Sequence, residues 1–190
     1  MFSYEGVSSA DAVKHIARFT SGIWQIHTFC EGNTRTTAVF VIKYLRTFGF
    51  NISNSVFADN SWYFRNALVR ANYNDLQKGI HATTEYLEEF FENLILGGSN
   101  ELKNRFLHIG FEKVQSANAD VSKCRICTLE EQAIINIILE DPTVTQKRIA
   151  ELTGKSERWV KTMTVQMQKK GLISRENGKR NGRWVVLVEI

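Results

Sequence analysis

Over its first fifty positions or so, this chain repeats its apolar side chains at helical spacing, and one short polar loop interrupts the repeat. Val13, Ile16, Ala17, Thr20, Ile23, Trp24 and Ile26 recur at the helical period, which predicts one amphipathic helix over Ser9–Gln25. Ser8 or Ser9 can cap it, and Asp11 suits its first turn. A second, mostly buried helix is predicted over residues 36–48, with Gly49 as its stop. Two further helical patterns follow. Residues 60–73 carry Trp62, Tyr63, Phe64, Leu68 and Val69, and residues 80–96 carry Tyr86, Leu87, Phe90, Phe91, Leu94 and Ile95. The sequence Gly97-Gly98-Ser99-Asn100 ends the second pattern as a hinge. Residues 101–113 read as a short linker helix, and the polar run that follows is the best domain boundary.

The interrupting loop holds the densest chemistry. Residues 26–40 read I-H-T-F-C-E-G-N-T-R-T-T-A-V-F. His27 is the side chain suited to take a proton near neutral pH. Glu31 is a carboxylate suited to a hard cation shared with phosphates. Gly32 and Asn33 tolerate unusual dihedrals, so backbone N–H groups there can face an anion. The helix start behind them is a ready phosphate site, and Arg35 can grip phosphate oxygens with its fork. Singly, each of these residues reads as an ordinary surface or turn residue. In this order they point to nucleotidyl or phosphoryl transfer.

The same segment resembles the signature of the Fic (filamentation induced by cAMP) family, H-P-F-x-D/E-G-N-G-R-x-x-R. His27, Phe29, Glu31, Gly32, Asn33 and Arg35 match; Thr28, Thr34 and Ala38 stand where the family has Pro, Gly and Arg. The flanks F-T-S-G-I-W-Q-I-H, T-T-A-V-F-V-I-K-Y-L-R-T-F-G-F and F-A-D-N-S-W-Y-F-R-N-A-L-V-R-A-N-Y resemble one bacterial branch of it. The resemblance spans roughly residues 2–109 and implies an all-α core that transfers AMP from ATP to a Ser, Thr or Tyr hydroxyl of a target protein. His27 would be the base and Glu31 the Mg²⁺ ligand. Gly32, Asn33, Thr34 and Arg35 would hold the nucleotide, and Phe29 would anchor the loop in the core. Ala38 removes the family's second Arg. Family members also carry upstream helices and a β-hairpin flap, which the sequence from Met1 is expected to lack.

The last third changes character. Thr128-Leu-Glu-Glu131 is a capping box, followed by Ile134, Ile135, Ile137, Ile138 and Leu139 and a stop at Asp141-Pro142. A short helix is predicted over residues 145–153, a turn at Gly154-Lys155, and a third helix over residues 157–170 capped by Ser156. Trp159, Val160, Met163 and Met167 would face inward. Residues 172–175 and 183–188 alternate like strands around a basic, Gly- and Asn-rich connection. Helix, helix-turn-helix and basic hairpin resemble the winged-helix family of DNA-binding domains. The resemblance places Arg158, Lys161 and Thr162, with Thr164 or Gln166, outward on the third helix, and Lys179, Arg180 and Arg183 on the wing. Winged helices also serve as protein-interaction modules.

Charge placement agrees with an anionic partner for this third. Residues 1–123 hold 12 Lys+Arg against 12 Asp+Glu, and residues 124–190 hold 12 against 8, so the whole excess of +4 lies in the second part. Of the three cysteines, Cys124 and Cys127 form a C-x-x-C with no second ligand pair for zinc, and both read as free thiols. No leader or long apolar run is present, so a reducing, cytoplasmic setting without a membrane is expected.

The expected architecture is therefore mainly α: a Fic-like helical core at 1–113, a linker at 114–123, and a small α+β winged helix at 124–190. The expected cofactors are ATP and Mg²⁺. The expected partners are a hydroxyl-bearing target protein, DNA, and a second copy in a homodimer. The alternative reading is a DNA-binding regulator or interaction protein on an inactive Fic-like scaffold.

Overall fold

The computed structural model describes residues 3–111, 127–176 and 182–188. Helix α1 spans Ser9–Gln25, and its first turn is closed by Ser8 Oγ, which accepts from the Asp11 amide at 3.1 Å. Helix α2 spans Asn33–Thr47, beginning three residues before the expected start. The reason is Gly32: its left-handed φ of 80° turns the chain directly into the helix. Helices α3 (Ser55–Asp59), α4 (Ser61–Asn72) and α5 (Glu85–Phe91) follow. The helix expected from residue 80 starts at Glu85. The chain before it is spent on a closed turn in which Asp75 and Ile80 exchange both backbone bonds at 2.9 Å. Helix α5 widens into a π-turn over Glu92–Leu96 that Gly97 ends at φ 70°. The linker helix expected over 101–113 is reduced to a 3₁₀ turn, Asn104–Leu107. The expected linker at 114–123 lies outside the described residues.

These elements enclose a first core. At its centre the rings of Phe57, Phe64 and Phe90 meet pairwise, with centroids 5.0, 5.1 and 5.1 Å apart. Such edge-on and tilted contacts add roughly 0.5–1.5 kcal/mol per pair to the burial of each ring. Tyr63 is buried beside them and donates to Glu89 Oε2 at 3.0 Å, and burial pushes its phenol far above the usual range.

The second part holds α6 (Leu129–Glu140), α7 (Gln146–Thr153) and α8 (Glu157–Lys169). Strands β1 (Ile173–Glu176) and β2 (Arg183–Val186) then pair antiparallel with Ile173 opposite Val186. Every one of these helices starts on a side-chain cap: Thr128, Thr145 and Ser156. The capping box at Thr128 and Glu131 is closed in both directions. Trp184 from β2 packs into this second core and donates to Val144 O at 3.0 Å.

Helix α6 is apolar on more than one face, as a helix between two cores must be. Leu129 and Ala133 belong to the first core, and Ile134, Ile135, Ile137 and Ile138 to the second. The first core thus extends beyond residue 113. Other contacts fasten the two parts. Ser9 N donates to Cys127 O at 2.7 Å, and Asn136 Nδ2 to Ile95 O at 3.0 Å. Lys155 Nζ donates to Thr47 O at 2.8 Å. A side chain at Gly49 would meet Thr153 Cβ at 3.2 Å, and its φ is 99°, so glycine is needed there twice over. The turn between α7 and α8 is therefore seated on the end of α2.

Three readings of single residues change. Cys127 is buried and disulfide-bonded, not a free thiol, while Cys124 lies outside the described residues. Thr164 is buried: it donates to Val160 O at 2.9 Å and accepts from Gln146 Nε2 at 2.8 Å, so it is not on the outward face of α8. Ile26 falls just past the end of α1 and is 70% exposed, so the apolar stripe stops short of it. Among the described residues no helix is long and apolar enough to cross a membrane.

Candidate active site

The loop between α1 and α2 is built by four local devices. Helix α1 ends with Ile26 and His27 donating to Ile23 O and Trp24 O at 3.3 and 3.2 Å. His27 then takes φ 47°, the one positive value at a non-glycine among the described residues. A left-handed histidine is uncommon and costs of order 1 kcal/mol, which the neighbours must offset. The Trp24 ring does part of this, meeting the His27 imidazole edge-on with centroids 4.6 Å apart. No hydrogen bond to the His27 ring is found among the described residues, and the side chain is exposed.

The second device is Asn33. Its Oδ1 accepts from Phe29 N at 3.0 Å and its Nδ2 donates to Phe29 O at 2.6 Å. The side chain therefore staples the loop, and what Asn33 can still offer an anion is its backbone amide. Phe29 is held by this staple rather than by the core: its ring is 51% exposed, contrary to the expected anchor. The third device is Thr34, whose Oγ1 accepts from Trp24 Nε1 at 3.2 Å. The residue that departs from the Gly-Asn-Gly pattern thus ties the end of α1 to the start of α2.

The fourth device is the start of α2 itself. Gly32 precedes it with no side-chain cap. The first-turn amides, which a helix cannot satisfy internally, are left facing outward with the positive end of the helix dipole. Arg35 folds back toward the same point: a side chain on Gly32 would meet Arg35 Nη2 at 3.7 Å. Amides, dipole and guanidinium converge on one spot, an arrangement that can hold a phosphate. Glu31 is exposed immediately before it. Ala38 is buried in the first core, 7% exposed, so its position serves packing here.

The residues fit the expected groups unequally. The open start of α2 fits a phosphate chain. For a metal the loop offers the Glu31 carboxylate, and no group of three or more His, Cys, Asp or Glu is placed to hold one among the described residues. Glu31 therefore fits Mg²⁺ as a single ligand to an ion whose other ligands are phosphate and water oxygens.

Residues 1–45 match the family model of the Fic/DOC family. Over that segment the chain is similar to the Fic/DOC family. No curated protein and no solved structure matches the chain. The matched segment takes in α1, the loop and nearly all of α2, which are the elements that build the site. Trp24 is the contributor that residue chemistry did not single out. Its signal was its place three residues before His27, on the last turn of α1.

The basic residues of the second part divide. Arg158, Lys161 and Thr162 are exposed on α8, and neither cation has an ion-pair partner among the described residues. Arg183 is exposed and lies 3.7 Å from Glu176 Oε2 across the strand pair. Lys179 and Arg180 lie outside the described residues.

Proposed function

We propose that this chain transfers AMP from ATP to a Ser, Thr or Tyr hydroxyl of a target protein. The observation that carries the reading is the uncapped, glycine-led start of α2 with Arg35 folded over it, one loop away from an unbonded His27 ring. His27 removes the proton from the attacking hydroxyl. That oxygen forms a bond to the α-phosphorus, the bond from α-phosphorus to the bridging oxygen breaks, and pyrophosphate leaves. The backbone amides at Asn33, Thr34 and Arg35 and the Arg35 guanidinium orient the phosphates and offset their charge. Glu31 is the residue that would hold Mg²⁺, which when bound neutralises phosphate charge. Such transfers depend mostly on positioning and electrostatics, which this loop is arranged to provide. The test is incorporation of α-labelled AMP into lysate proteins with ATP and Mg²⁺. His27→Ala should lower the rate by about 10² or more. Equal labelling by parent and variant overturns the role of His27.

A second reading concerns α8. Its cations Arg158 and Lys161, without an ion-pair partner among the described residues, form a basic helix face with Thr162; Arg183 lies on β2, and Lys179 and Arg180 precede it in sequence. We infer a winged helix whose third helix enters the major groove of DNA. Binding of the full chain to mixed-sequence duplex should fall steeply with salt, and Arg158→Ala with Lys161→Ala should reduce the salt slope by about two. No binding at low salt removes this reading and leaves the second part as a protein-interaction module.

A further inference from the structure

A groove of about 330 Å³ runs between the second half of α4 and the chain around the 3₁₀ turn Asn104–Leu107. Its size lies at the small end of ligand cavities. Its walls are apolar and open: Val69, Tyr73 and Ile109 line it and are 38, 40 and 54% exposed, and Leu107 forms part of its floor. The rim is fixed by Asn66 Nδ2, which donates to Asn104 Oδ1 at 2.9 Å.

Arg70 lines the same groove, and its Nη1 is buried without a hydrogen-bond acceptor. It is the one charged group among the unsatisfied buried atoms of the described residues; the other two are Thr20 Oγ1 and Gln132 Oε1. Arg46 shows how this core otherwise treats an arginine: both its Nε and Nη2 donate to Ile52 O, at 3.2 and 2.7 Å. A buried guanidinium N–H with no acceptor carries its full desolvation cost. No carboxylate lines the groove, and Arg70 takes part in no ion pair among the described residues. His108, also on the wall, adds a second group able to donate.

We propose that the groove is a binding site for a small organic monocarboxylate with an apolar body. The carboxylate accepts from the Arg70 guanidinium where it borders the groove, the one cation on a wall without a carboxylate. The apolar body lies along Val69, Leu107, Tyr73 and Ile109, covering apolar surface that is otherwise in water. The site stands on α4 and the 3₁₀ turn and uses none of the residues of the α1–α2 loop, so it is independent of the transferase reading.

The test uses the full chain and hexanoate as probe, with hexanol and hexylammonium as controls, read by the methyl resonances of Val69, Leu107 and Ile109. Hexanoate should shift them saturably, and both controls should bind at least tenfold more weakly. Arg70→Met keeps the apolar stem and should lose at least tenfold of the hexanoate affinity while melting no lower than the parent without ligand. Ile109→Asp, at an exposed position, places a like charge in the groove and should abolish the shifts without depending on how Arg70 packs. Equal binding of hexanoate and hexanol overturns the proposal, because it reports apolar adsorption alone. So does unchanged hexanoate affinity in Arg70→Met or Ile109→Asp, or the absence of any saturable shift.

Discussion

Two helix starts in this molecule solve the same problem in opposite ways. Helix α8 begins at Ser156, whose Oγ accepts from the Trp159 amide at 3.2 Å, and it has Glu157 in its first turn. Helix α2 begins at Gly32, with no side-chain cap and no acidic residue in its first turn. The chain can build caps, as Ser8, Thr128, Thr145 and Ser156 show. Helices α3, α4 and α5 also start without a side-chain cap, so what suits the start of α2 to an anion is Gly32 in the left-handed region with Arg35 folded over it. The comparison teaches that an open helix start points to an anion when a left-handed glycine and a cation stand beside it, and not through a missing cap alone.

The largest effect should come from closing the open end. Gly32→Val puts a β-branched residue at φ 80°, a conformation that costs such residues on the order of 1–2 kcal/mol. We expect at least tenfold weaker ATP binding by calorimetry, together with that loss of stability. ATP affinity equal to the parent's would mean that the start of α2 does not hold the phosphates. The mirror experiment is Ser156→Ala, which should cost about 1 kcal/mol in chemical denaturation, the usual worth of a serine cap. ATP affinity should be unchanged, and a coupled loss would show that the two helix starts are not separable in function.

The smallest effect extends the comparison to two acids. Glu131 is 1% exposed, closes the capping box and pairs with Lys170 Nζ at 2.6 Å. Glu92, in the π-turn, is half-buried and accepts only from Asn100 Nδ2 at 2.9 Å among the described residues. Burial raises the Glu92 carboxyl above its ordinary value, against that hydrogen bond. A carboxyl whose folded pKa is raised holds its proton longer in the native state, so stability is lost as pH climbs from the unfolded value, near 4.3, through the folded one. Glu92→Gln keeps an acceptor for Asn100 and removes the charge. It should raise the melting temperature by about a degree or two at pH 7 and leave it unchanged near pH 3. The same rise at both pH values would trace the effect to packing.

Much of the helical framework was legible in the sequence because its causes are local. The period of Val13, Ile16, Ala17 and Thr20 marked α1, and capping residues located the starts of α1, α6 and α8. Where a start depends on something other than a cap, the boundary moved. Helix α2 begins on a left-handed glycine, and α5 waits for the closed turn between Asp75 and Ile80. At the site, the residue types named its chemistry, but their division of labour was hidden. Asn33 uses its side chain on Phe29, Thr34 on Trp24, and Phe29 faces solvent. Each of these is a choice between partners that spacing alone leaves open.

The sequence by itself determined the mainly helical class, the order of elements and the residues gathered in the loop from His27 to Arg35, because periodicity, capping and glycine conformations act over a few residues. Only the tertiary structure decided which faces became partners. Helix α6 is shared between two cores, and Thr153 and Lys155 sit on the end of α2. Arg70 Nη1 is buried with no acceptor among the described residues. Those outcomes depend on contacts between segments distant along the chain, and whether a buried polar atom finds a partner is settled only when they meet.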